Sequence, residues 1–162
     1  MSLRVGITIN VAAFLAQRGD AAAVQLVDQA ITLCEAEGPP DQLAMCLPGA
    51  ARHCWDVGAV TEARGYLDRS WALLGEGRRI AHVDLLTAAT AVALGDGDLD
   101  AAVEHGTAAE AEAAGLGIDR NLPFVRALLA HALLGRGDVD QAARVAADAV
   151  RSGREGDRKS VV

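Results

Sequence analysis

Residues 130–153 read Ala130-His-Ala-Leu-Leu-Gly-Arg-Gly137-Asp-Val-Asp-Gln-Ala-Ala-Arg-Val-Ala-Ala-Asp-Ala-Val-Arg-Ser-Gly153. This is an apolar helix, a Gly-Asp turn, and a second Ala-rich helix that runs to a glycine. The turn glycine Gly137 has counterparts at Gly97, Gly58 and Gly19, spaced 40, 39 and 39 residues apart, each between two helical patterns. Seven residues before each glycine stands a small side chain, Ala12, Ala51, Thr90 or Ala130. Five after it comes Val24, Ala63, Ala102 or Ala142. The chain is therefore four copies of one helical hairpin.

Working outward, the hairpins fall at about 6–38, 41–75, 80–115 and 120–153, with 154–162 expected as a flexible tail. In the first, Asp20 caps the second helix, and Gly38-Pro39-Pro40 ends it. The second carries Pro48-Gly49 inside its first helix, where a proline removes a backbone donor, so a kink or break is expected. Its second helix is expected to end at Gly75-Glu76-Gly77. In the fourth, Asn121 is placed to cap the helix that Pro123 opens. The small residues Ala51 and Ala130 are expected at close helix contacts, where leucine would overpack. Helix eight is polar along Asp140, Gln141, Arg144, Asp148 and Arg151, and apolar over much of the remainder, including Val139, Ala142, Ala143, Val145, Ala146, Ala149 and Val150. One hairpin cannot bury that much, so the sequence implies either self-association, as a homodimer through the end helices, or adjoining repeats.

At 162 residues the chain is long enough for a real core. It is 51% hydrophobic but only 3% aromatic, so alanine, leucine and valine must build that core. A formal charge of −7 argues against direct nucleic-acid binding, which needs clustered cations to neutralise phosphates. Fourteen of the 15 basic residues are arginine, a bias of G+C-rich bacterial genomes. Three cysteines without disulfide or zinc spacing fit a reduced, cytoplasmic setting. No run has the length of a membrane span.

The repeat columns resemble the tetratricopeptide repeat (TPR), which has a small residue in its first helix, an apolar residue three on, Gly-Asp at the turn and alanines in the second helix. The fourth copy carries these as Ala130, Leu133, Gly137-Asp138, Ala142 and Ala149, and the third as Thr90, Ala93, Gly97-Asp98, Ala102 and Ala109. The second has Ala51, Cys54, Gly58, Ala63 and Ser70, and the first Ala12, Leu15, Gly19-Asp20, Val24 and Ile31. Two features depart from the family: the period is 39 to 40 where about 34 is usual, and the unit-closing proline is missing. The longer period is similar to the TPR-like regions of MalT-like, LuxR-type bacterial regulators, although the chain has neither their phosphate-binding loop nor their helix-turn-helix. HEAT-like helix pairs, with a period of roughly 40, are the alternative fold.

The resemblance implies an all-α, right-handed α-solenoid of four hairpins, about eight helices, acting as a non-catalytic protein–protein interaction module. The implied setting is a regulatory segment of a bacterial signalling or transcriptional regulator, with a protein or peptide partner. The family's groove positions fall on Met45, Arg52 and Trp55 in the second hairpin, Asp84, Thr87 and Leu94 in the third, and Phe124, His131 and Leu134 in the fourth. The basic clamp of chaperone-binding members is absent, since Arg52 is the one cation among these positions. The alternative function is a small-molecule sensor, in which the groove around Trp55 and Phe124 encloses an inducer.

No enzymatic activity, cofactor or metal is expected. His53, His82, His105 and His131 fall at different repeat phases, and no phosphate loop or catalytic pairing stands out. Arg18-Gly19-Asp20 and Arg136-Gly137-Asp138 spell an adhesion tripeptide, but both occupy the inter-helix turn, which favours Gly and a capping Asp. Asp96, Asp98 and Asp100 start like a calcium loop, but Ala101 replaces its glycine and Thr107 its closing glutamate.

Overall fold

Each hairpin turn is built by the same backbone device. In the computed structural model, which describes residues 3–73, 79–118 and 121–160, Gly19, Gly58, Gly97 and Gly137 all have left-handed φ, between 69° and 94°. In every case the glycine N–H donates to the carbonyl three residues back. The next N–H donates to the carbonyl five back, as in Gly137 to Leu134 and Asp138 to Leu133. This pair of bonds satisfies carbonyls that a helix end leaves open, and the left-handed residue it needs is cheapest as glycine. The aspartates that follow act locally too. Asp98 Oδ1 accepts from Ala101 N at 3.0 Å, and Asp20 Oδ1 from Ala22 N at 2.9 Å.

Eight helices and no strand occur among the described residues: α1 (Leu3–Gln17), α2 (Ala22–Glu37), α3 (Pro40–Asp56), α4 (Val60–Leu73), α5 (Arg79–Asp96), α6 (Leu99–Leu116), α7 (Leu122–Arg136) and α8 (Val139–Ser160). The expected end of α4 at Gly75-Glu76-Gly77 lies outside the described residues. The chain divides into two compact units, Met1–Ala81 and His82–Val162. Within each, consecutive helices pack on one another as in a helical repeat.

In the first unit α1 packs on α2, α2 on α3 and α3 on α4, while α1 also reaches α3. The repeat columns lie at these contacts: Ala12, Ala51 and Ala63 have no exposed surface. Val27, Ile31 and Leu47 are fully buried in the same unit, and each such aliphatic contributes roughly 1.5–3 kcal/mol. Two polar links tie α4 to α2, Tyr66 Oη donating to Asp28 at 3.2 Å and Arg69 pairing with Glu35. Of the kink or break expected at Pro48, the break does not occur: α3 runs through it. Pro48 is itself fully buried, so its packing offsets the one backbone donor it lacks.

The second unit shows its core as small layers. Val83, Ala113 and Leu122 form one, Leu86, Ala109 and Val125 the next, then Ala93, Ala102 and Ala132, and last Leu129, Leu133 and Ala142. Thr90, the bulkiest residue of its column, is buried because its hydroxyl donates to the Leu86 carbonyl at 2.8 Å and because α6 offers a glycine opposite it. A Cβ on Gly106 would lie 3.3 Å from both Thr90 Cγ2 and Leu129. Arg126 on α7 ties three helices by pairing with Glu110 of α6 at 2.6 Å and donating to Ser152 of α8. Asn121 begins α7 without a side-chain cap bond; its amide instead donates to Asp84 of α5 at 2.9 Å.

The last helix takes in residues 154–160. α8 continues to Ser160, past Gly153 and Gly156. Extending an existing helix gains one hydrogen bond per residue ordered, so glycines weaken it without the steric block that proline imposes.

Candidate interaction surface

The nine groove positions fall on the first helices of three hairpins, and their environments separate them. On α3, Met45 is 64% exposed, and Arg52 and Trp55 are half-buried two and three turns further along the same face. Arg52 Nε lies 4.0 Å from Asp56 Oδ2, one turn ahead, which holds the guanidinium along the helix.

The positions on α5 are largely spent on the fold. Thr87 is buried, with its hydroxyl donating to the Val83 carbonyl at 2.7 Å. A β-branched hydroxyl that bonds the preceding turn needs no external partner, which is why a threonine on this face can be sealed in. Asp84 holds Asn121, and Leu94 packs against the Ala93, Ala102 and Ala132 layer. On α7, Phe124 is half-buried, while His131 and Leu134 are exposed.

His131 and Leu134 are brought together with residues that the groove assignment left out. Ala130, His131 and Leu134 from α7 join Val139, Ala142, Ala143 and Ala146 from α8 around an open apolar groove of about 370 Å³. The signal for the α8 half was the excess of apolar residues around helix eight. Placing them beside His131 and Leu134 required the hairpin's crossing geometry.

All three cysteines are free and buried. Burial pushes the Cys46 thiol up to about 11 and Cys54 up to about 12, so both stay protonated and poorly nucleophilic at neutral pH. His82 Nδ1 sits 2.9 Å from the Glu112 carboxylate, a link between α5 and α6. Among the described residues no three His, Cys, Asp or Glu side chains are grouped to hold a metal ion, and no helix is long and apolar enough to cross a membrane. Two aspartates of the calcium-like run are engaged elsewhere, Asp98 at the α6 cap and Asp100 with Arg136 at 3.5 Å.

The fold class is thus an all-helical, repeat-like assembly of hairpins. Set against known proteins, the chain matches no family model, no curated protein and no solved structure.

Proposed function

We propose that the chain is a non-catalytic, TPR-like interaction module that serves as a regulatory segment of a bacterial signalling or transcriptional regulator. The observation that carries this reading is the face of α3, where exposed Met45 and half-buried Arg52 and Trp55 stand on a helix fixed from behind by Ala51, Cys54 and Leu47. Aromatic and arginine side chains presented from a rigid element are what protein contacts use as anchors. The regulatory setting rests on the 39 to 40 residue period and the arginine-rich composition.

The test is a quantitative pull-down with the wild type, Arg52→Ala and Trp55→Ala, each checked for unchanged helicity by circular dichroism. One protein captured by the wild type should be depleted at least fivefold by each variant, about 1 kcal/mol or more. Equal recovery by all three would sink the α3 face as the site. A metabolite that raises the melting temperature, with no protein captured, would move the reading to the sensor; a ligand at 100 times its dissociation constant adds about 2.7 kcal/mol.

A further inference from the structure

α1 carries an exposed apolar stripe. Leu3, Ile7, Val11 and Phe14 are 78%, 55%, 44% and 59% exposed and recur at the spacing of one helix face. Aligning the turn glycines Gly19 and Gly137 puts Ile7, Val11 and Phe14 in register with Val125, Leu129 and Ala132 of α7, all of which are buried. On α7 those residues are the face laid on the preceding hairpin. Val125 meets Leu86 and Ala109, Leu129 sits against Gly106, and Ala132 meets Ala93 and Ala102. The matching residues of α3, Cys46, Ala50 and His53, are buried as well.

The receiving surface also has an uncovered counterpart. Thr90, Leu94, Leu99, Ala102, Val103 and Gly106 lie on the side of the α5/α6 hairpin that meets α7. One repeat on, the same columns are Ala130, Leu134, Val139, Ala142, Ala143 and Ala146, which line the open groove of about 370 Å³. Leu134 and Val139 there are 57% and 59% exposed.

From this correspondence we propose that the groove of α7 and α8 receives α1 of a second copy of this chain, head to tail, repeating between molecules the contact that α7 makes on α5 and α6. Three features favour this occupant. The sizes compensate: where Leu129 rests on Gly106, the copy brings Val11 to Ala146, a smaller side chain to a larger one. Val103 has the smaller Ala143 as its counterpart in the groove, which leaves room there for the Phe14 ring, 5.7 Å beneath the Arg18 guanidinium. The charges also match. Arg136 meets Asp100 at 3.5 Å across the α7–α6 contact, and the residues in the same register are Arg18 and Asp140, both exposed. The two faces are different, so the contact is heterologous and does not close by two-fold symmetry. It concerns a surface separate from the α3 face and stands or falls independently of it.

Light scattering on a dilution series of the wild type, Val11→Asp and Ala143→Asp tests this. All altered positions are exposed, so helicity should be unchanged. The wild-type mass should rise with concentration from 16.7 kDa past the dimer. Each variant should remain a monomer over the same range, with its association weakened more than about tenfold by a charge placed in the apolar contact. A 1:1 mixture of the two variants should reach the dimer mass and stop, because each pair has one intact stripe and one intact groove to join. As a second pair, Arg18→Asp and Asp140→Arg should each weaken association and restore it when mixed with one another. A wild type that stays monomeric throughout overturns the proposal. So does a variant that dimerises alone, since that would mean a symmetric contact between like faces.

Discussion

The thiols of Cys46 and Cys54 sit where an ionised sulfur could not be hydrated, and their protons are held accordingly. The unfolded chain releases those protons near pH 9, whereas the folded chain keeps them to about 11 and 12. Unfolding above pH 9 therefore releases protons, so the unfolded chain is favoured and native stability falls as pH rises from about 9 towards the folded values. The loss is up to about 1.4 kcal/mol per pH unit for each thiol. The urea midpoint should fall between pH 9 and 11, and more gently in the Cys46→Ala/Cys54→Ala variant; parallel slopes would mean the thiols are not buried as drawn. Thr87 was not legible, because a threonine on a first helix reads the same whether its hydroxyl meets solvent or the preceding carbonyl.

At the scale of the element, the small-residue column separates into two environments. Ala51 has no exposed surface, so Ala51→Leu has nowhere to expand and should cost roughly 1–3 kcal/mol. Ala130 occupies the same column but borders the open groove, so Ala130→Leu can extend into it. Its cost should be below about 1 kcal/mol. Chemical denaturation of both variants checks this, and equal losses would show that the groove wall is as closed as the hairpin interior. By sequence alone both positions overpack, because a column aligns residues by phase and not by what covers them. The turn glycines were legible for the opposite reason: left-handed φ is a local demand that glycine meets wherever the turn occurs.

For the molecule as a whole, an array of hairpins draws its stability from nearest-neighbour contacts, and helices with a bare face have fewer of them. α1 exposes its apolar stripe, and α8 exposes Val139 and Val150. At high dilution, amide exchange in these two helices should be faster than in α3 and α7, whose corresponding faces are covered. Uniform protection from α1 to α8 would mean that the end helices are held by contacts of another kind. If the head-to-tail contact forms, that difference should shrink as concentration rises.

Four glycines at spacings of 39 and 40, with small residues fixed about them, determined the hairpins, their turns and the all-helical class. Such features depend on backbone conformation and helical phase, which are properties of neighbouring residues in the chain. Tertiary structure alone decided which side chains those helices leave exposed. It sealed Thr87, engaged Asp84 with Asn121, carried α3 through Pro48, and set His131 and Leu134 beside Ala143 and Ala146. Each of these depends on how far one helix lies from the next, and that distance is set by the fit of side chains many residues apart.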